Sequence, residues 1–281
     1  MVPISRRHFM AASAGLSAGA LALRADPLGL PVGFQSWPVR ELIAKDFPGT
    51  LKQLSDVGYR RVEMCSPAGY KDLGFGGLMK LKGAEIKKII QDAGLGCESC
   101  HFGIGELKDH LDERVAWAKE LGLKQMILAT FAMPKDATLD DWKRAADGLN
   151  PIGDKVQAAG IQLGYHNHDF EFKKYGDVLV YDELMKHFDP KLIKMQFQVA
   201  VISIGYLAQT YLTKYPGRFI SLHLADWSPE EKKTVALGKG VVDWRAVFTA
   251  AKTGGIKNYF VEVNDMASTK ASYPFIHQLT V

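Results

Sequence analysis

Two imidazoles and two carboxylates fall within Tyr165-His166-Asn167-His168-Asp169-Phe170-Glu171, directly after the strand-like run Ile161-Gln162-Leu163-Gly164. Residues two apart on a strand share a face, so His166 and His168 are expected to point the same way. Such a pair suits a divalent metal or a polar substrate, histidine being the commonest metal ligand. Two loop histidines bonded to water or backbone would leave the same letters. Partners elsewhere in the chain must decide between these readings.

The elements that position such partners can be read from periodicity and punctuation. Predicted strands cover Pro31–Trp37, Tyr59–Cys65, Leu95–Phe102 and Leu123–Thr130, then the stretch above, then Leu192–Val199, Arg218–Leu224 and Asn258–Val263. Between and after them come predicted helices: Phe47–Val57, Gly83–Ala93, Glu106–Leu121, Leu139–Ala159 with a break near Asn150-Pro151, Val180–Phe188, Ile204–Lys214, Trp244–Lys252 and Ala271–Leu279. Helices repeatedly stop at a glycine just before the next strand, as at Gly58, Gly94, Gly122 and Gly160. Strict alternation implies a parallel sheet. Eight such units in this length predict an α/β fold, a single (β/α)8 TIM barrel over residues 26–281. A doubly wound open sheet is the alternative, but no strand leads into a G-x-G-x-x-G or a P-loop.

Barrel enzymes work at the C-terminal ends of their strands. Seven strands carry polar residues there: Gln35, Glu63, His101, His166 with His168, Gln198, His223 and Glu262, while the fourth offers only Thr130. A buried unpaired polar group costs ~1–3 kcal/mol, so packing alone does not account for seven coincidences. His166, Gln198, His223 and Glu262, from strands five to eight, make a mixed N/O set for Zn²⁺, Mn²⁺, Fe²⁺ or Co²⁺. One carboxylate and two neutral imidazoles leave positive charge on the metal, which suits polarising a carbonyl. Glu63 and His168 are then acid–base candidates. Gln35, Trp37, His101, Asp226 and Trp227 are candidates for holding a polar ring. No G-x-S-x-G is present. Cys97 and Cys100 lie three strand residues apart, roughly 10 Å, which is too far to bridge; with Cys65 they read as structural thiols.

The amino terminus reads as separate from the fold. Ser5-Arg6-Arg7-His8-Phe9 precedes an apolar run from Ala11 to Leu23. This resembles a twin-arginine export signal over residues 1–25, with cleavage expected near Leu23-Arg24-Ala25. The resemblance implies a periplasmic or secreted protein exported already folded. The whole chain has 35 Lys+Arg against 31 Asp+Glu; without Arg6, Arg7 and Arg24 the count is 32 against 31. That balance gives no footing for nucleic-acid binding, and no membrane span is expected in the mature chain. Its oligomeric state is open.

Five segments carry a wider resemblance: Gly58-Tyr-Arg-Arg-Val-Glu63, Gly164-Tyr-His-Asn-His-Asp-Phe-Glu-Phe172, Ser221-Leu-His-Leu-Ala-Asp-Trp227, Leu237-Gly-Lys-Gly-Val-Val-Asp-Trp244 and Tyr259-Phe-Val-Glu262. They resemble the xylose isomerase-like TIM barrels, the sugar phosphate isomerase/epimerase superfamily, across the whole mature chain. The resemblance implies a metal set of Glu, Asp, His and Glu from strands five to eight. His223 and Glu262 match it; His166 and Gln198 stand at the other two positions. It implies a metal-dependent isomerase or epimerase, or a lyase, that removes a proton next to a carbonyl. Export favours an unphosphorylated sugar, cyclitol or 3-keto glycoside as substrate. A non-catalytic sugar-binding barrel and an endonuclease IV-like phosphodiesterase are the other readings.

Overall fold

The computed structural model describes residues 26–281; the export signal expected over 1–25 lies outside the described residues. Each helix returns the chain to the same end of the sheet, so successive strands can only pair in parallel. The strands are β1 (Gly33–Gln35), β2 (Arg61–Cys65), β3 (Gly96–Phe102), β4 (Gln125–Leu128), β5 (Gln162–His166), β6 (Ile193–Gln198), β7 (Phe219–Leu224) and β8 (Asn258–Val261). They close in the order β1-β8-β7-β6-β5-β4-β3-β2, and every pairing is parallel. This is the predicted single (β/α)8 TIM barrel. No helix among the described residues is long and apolar enough to cross a membrane.

The two faces of each strand differ sharply. Phe34, Val62, Met64, Cys100, Phe102, Met126, Leu128, Leu163, Tyr165, Met195, Phe197, Leu222, Leu224, Tyr259 and Val261 are all buried and alternate with the residues that meet inside the barrel. Those inner residues are mostly polar. Asn258 of β8 donates to Gln125 of β4 across the barrel at 3.1 Å, and Gln196 of β6 reaches Glu63 of β2 at 2.8 Å. Hydrophobic cohesion therefore resides in the layer between barrel and helices, while the barrel lumen is held by hydrogen bonds. Gly33 is small for a packing reason: a Cβ there would lie 2.5 Å from the Phe260 ring.

Three predicted elements are corrected. The helix expected over Glu106–Leu121 is two helices, Ile104–Asp109 and Leu111–Leu121, because His110 leaves helical geometry at φ −135°, ψ 28°. The helix Leu139–Ala158 runs unbroken through Pro151. Proline removes one helical hydrogen bond, but buried Ala146, Leu149, Gly153 and Val156 pin that face to the barrel, and Asn150 bonds the His187 carbonyl and the Asp189 amide. The last helix starts earlier, at Met266, because Asp265 caps it by accepting from Ser268 N. Gly122 and Gly255 end their helices in the left-handed conformation, which explains the glycine punctuation. All three cysteines are free thiols, Cys65 and Cys100 buried and Cys97 partly so.

Candidate active site

The floor of the site is built around Glu63, which is fully buried. Its Oε2 accepts from Gln35 Nε2 at 2.8 Å and faces His223 Nε2 at 2.5 Å. Its Oε1 accepts from Ser99 Oγ at 2.5 Å and Gln196 Nε2 at 2.8 Å. Burial opposes its ionisation, but the neighbouring His101 and His223 rings outweigh this and hold the carboxyl well below the usual carboxylate range. The other His223 nitrogen, Nδ1, lies 2.8 Å from Glu262 Oε2. Burial works against charge on His223 too; the two carboxylates prevail and push it up to about 10. His223 is thus an imidazolium clamped between two carboxylates, with both ring nitrogens donating.

Above this floor lie the other imidazoles. His101 stacks on His223 with ring centres 5.1 Å apart, and its Nε2 is 2.7 Å from Gln196 Oε1. His166 sits 4.4 Å from His223 and 4.8 Å from His168 between ring centres. Burial, reinforced by the rings of His223, His168 and His101, keeps His166 neutral well below its ordinary value. His168 is brought down to about 4, chiefly by burial. The His168 backbone is held by Glu171, whose Oε2 accepts the His168 amide at 2.7 Å and whose Oε1 accepts Tyr165 OH at 2.5 Å. Burial pushes Glu171 up to about 7.

A cavity of about 340 Å³ opens at the C-terminal mouth, lined by Trp37, Arg40, His166, His168, Gln198 and Glu262 among others. The Glu262 side chain is 18% exposed, and the proximity of His223 overcomes burial to keep its carboxyl ionised. Both of its hydrogen bonds among the described residues, from His223 and from Gln198 Nε2, fall on Oε2. Oε1 is the oxygen left for a ligand. A larger cavity, about 690 Å³, lies at the opposite end of the barrel, lined by Asp26–Leu30, Gly255–Lys257 and the C-terminus, away from every residue in this network.

The structure separates the sequence candidates. His166, His168, Gln198, Glu262 and Trp37 meet at the cavity; Arg40 joins them, its guanidinium 4.2 Å over the Trp37 ring. Glu63 is corrected from an acid–base group on substrate to a floor residue: its two oxygens are occupied and it has no exposed surface. Gln35 is corrected likewise, since it donates to Glu63 and its oxygen accepts from Ser36 Oγ and Trp37 N. His101 belongs to the imidazole cluster and to Gln196. Asp226 is corrected from substrate binding to loop closure. Its carboxylate takes the amides of Trp227, Gly238 and Val242 and the Trp244 indole N–H, at 2.9–3.1 Å. Trp227 pairs with Thr234 in the hairpin that this closure anchors. Sequence reasoning missed Ser99, Gln196 and Ser221, whose hydroxyl accepts from Gln196 Nε2 at 3.1 Å. Each sits two residues before a residue it did select (His101, Gln198 and His223), so the period of two was the available signal.

Which residues fit a divalent metal? Gln198 does not offer its oxygen. Oε1 accepts from Ala200 N at 3.1 Å while Nε2 donates to Glu262 at 2.7 Å. A flipped amide would set donor against donor at Ala200, so the expected ligand role is corrected. His101, His166 and His223 instead bring three nitrogens within 4.8 Å of one another; both His223 nitrogens are engaged by Glu262 and Glu63, so His223 becomes a ligand only by giving up the proton on one of them. His166 Nδ1 is buried with no partner among the described residues, which is the signature of a group awaiting a ligand. Three imidazoles suit Zn²⁺, Fe²⁺ or Co²⁺. Glu63 and Glu262 flank His223 and supply compensating negative charge.

Comparison with known proteins agrees with this architecture. A family model described as the xylose isomerase-like TIM barrel matches residues 51–272. An inosose dehydratase of Geobacillus thermodenitrificans is 28% identical over 155 residues, covering 49% of this chain and 51% of that protein. The chain thus spans about half the length of the curated relatives it matches. A sugar phosphate isomerase/epimerase from Parabacteroides distasonis has a similar solved structure, with TM-score 0.73 and 24% identity over 88% of this chain and 94% of that one. The IolI protein with a bound zinc atom matches with TM-score 0.62 and 14% identity, over 89% of this chain and 94% of that one; both structural likenesses speak to fold. With the closed barrel and the match over residues 51–272, this chain belongs to the xylose isomerase-like TIM barrel family.

Proposed function

We propose that this protein is a divalent-metal-supported enzyme that acts on an unphosphorylated sugar, cyclitol or 3-keto glycoside by removing a proton next to a carbonyl. The observation that carries the reading is the pairing of an ionised carboxylate and a neutral imidazole, Glu262 and His168, on one cavity of about 340 Å³. Glu262 Oε1 takes the proton from carbon. The proton that Glu262 gains is then passed to the departing or newly formed hydroxyl, and His168, uncharged at neutral pH, positions that hydroxyl by hydrogen bonding. Trp37 offers a flat face to the ring, and Arg40 places a cation at the same wall. His166 and His101, joined by His223 once it has given up a ring proton, would hold a divalent metal, which would supply Lewis-acid polarisation of a carbonyl oxygen.

Return of the proton to carbon yields isomerisation or epimerisation, and loss of a hydroxyl from the next carbon yields elimination. The inosose dehydratase relatives support elimination as one outcome. A single cavity cation, Arg40, offers little to a phosphate. Export through residues 1–25 is part of the proposal, tested by fractionating cells that carry the chain with Arg6 and Arg7 intact or changed to Lys.

The deciding experiment is deuterium exchange in D2O, followed by NMR, over a panel of ketoses, inososes and 3-keto glycosides with metal-supplemented protein. Exchange at the carbon beside the carbonyl is expected, with kcat reduced about 10²–10⁴-fold in Glu262→Gln, the usual contribution of a general base. No exchange with any member of the panel would reject the reading.

A further inference from the structure

His168 lines two cavities. Besides the site cavity, it borders a second of about 420 Å³ over the ends of β4 and β5, whose walls include Met133, Pro134, Trp142, Phe170 and Tyr175. Phe170 stacks on the His168 ring with centres 4.9 Å apart at 15°, and lies 6.3 Å from Trp142. Phe170 is also 42% exposed, a poor place for a large apolar ring unless something covers it. Besides His168, polar groups are few: the Thr130 hydroxyl, already turned to the Ala132 amide, the Tyr175 hydroxyl, already given to the Ala137 carbonyl, the Trp142 indole N–H, and the side chains of Lys135 and Lys173. A second sugar ring needs convergent hydrogen-bonding groups, whereas a flat apolar group needs faces to stack on. This cavity supplies faces, with cations at hand for a phenolic oxygen; Lys173 is 4.6 Å from the Tyr175 ring centre.

We infer that the second cavity is an aglycone subsite, and that the substrates are glycosides of aromatic alcohols. The sugar occupies the Glu262 side, the glycosidic oxygen passes His168, and the aromatic ring lies against Phe170 and Trp142. This rests on the sugar reading of the first cavity and narrows it. His168 then stands where the two parts of the substrate join.

The test is calorimetric titration of the full chain with matched methyl and phenyl β-glycosides of glucose, galactose and xylose. A phenyl glycoside is expected to bind about 10-fold more tightly than its methyl partner, from the apolar area it buries and the ring stacking it gains. In Phe170→Ala most of that difference disappears. Phe170 lies outside the buried core cluster, so its removal leaves the core packing in place. Equal affinity of methyl and phenyl partners in the unaltered protein overturns the subsite and leaves the sugar reading standing. Absence of binding by every glycoside overturns the subsite as well, while the sugar reading is decided separately by the exchange panel.

Discussion

Glu63 and His223 face each other at 2.5 Å in the barrel floor, neither with any exposed side-chain surface. The pair fastens β2 to β7 across the lumen. Removing one partner leaves the other charge buried, which costs about 3–5 kcal/mol. Glu63→Gln should lose about that much stability in urea denaturation at neutral pH. The dependence on pH follows from both shifts. His223, raised from 6.5 to about 10, contributes fully below pH 6.5 and loses its contribution as pH rises through 10. Glu63, depressed below its ordinary 4.5, contributes above that pH and loses its contribution as pH falls below it. The gap between wild type and Glu63→Gln is therefore widest between about pH 4.5 and 6.5 and narrows on either side. A gap independent of pH would show that the pair is not ionic.

Metal binding distinguishes the ligand set read along the strands from the one assembled in space. His166→Ala and His101→Gln are expected to lower metal affinity by 10-fold or more, measured by competition with a chelator and by metal content. Gln198→Ala is expected to leave affinity nearly unchanged, because its oxygen serves the Ala200 amide. The reverse ranking would restore Gln198 as a ligand.

Acid should expose the neutral state of His168. Its value falls from 6.5 to about 4 on folding, so below pH 6.5 the unfolded chain takes up a proton that the folded protein refuses. Stability is lost as pH falls from 6.5 to about 4, at up to about 1.4 kcal/mol per pH unit. His168→Gln should lose less over this range, about 2–3 kcal/mol less in total. Parallel curves for the two proteins from pH 7 to 4 would contradict the assignment.

Asp226 offers the sharpest contrast between stability and binding. Its carboxylate accepts four hydrogen bonds that fold the segment up to Trp244 back onto β7. Asp226→Asn turns one acceptor into a donor facing other donors, and bonds to a charged group are each worth about 1.5–3 kcal/mol. A loss of about 3 kcal/mol is expected, with KM for any substrate found by the exchange panel changed less than 3-fold. A raised KM at unchanged stability would return Asp226 to the substrate.

Much of this was legible along the chain. Glycine-punctuated alternation specified a parallel closed sheet, and polar residues late in the strands marked the working end. Residues two apart share a face, so the inward set from Gln35 to Glu262 could be read one strand at a time. Height along the barrel axis could not. Whether an inward side chain plugs the floor, as Glu63 and Gln196 do, or borders the cavity, as Glu262 does, depends on how eight strands are staggered when the sheet closes, and no strand encodes its neighbour's register by itself. The 3₁₀ turn after β6 aimed the Gln198 oxygen at Ala200, and the chain returning through Gly238 and Val242 claimed Asp226. Residue type and period determined which groups enter the barrel; closure and loop return decided what each one touches, because those distances are set between segments far apart in the chain.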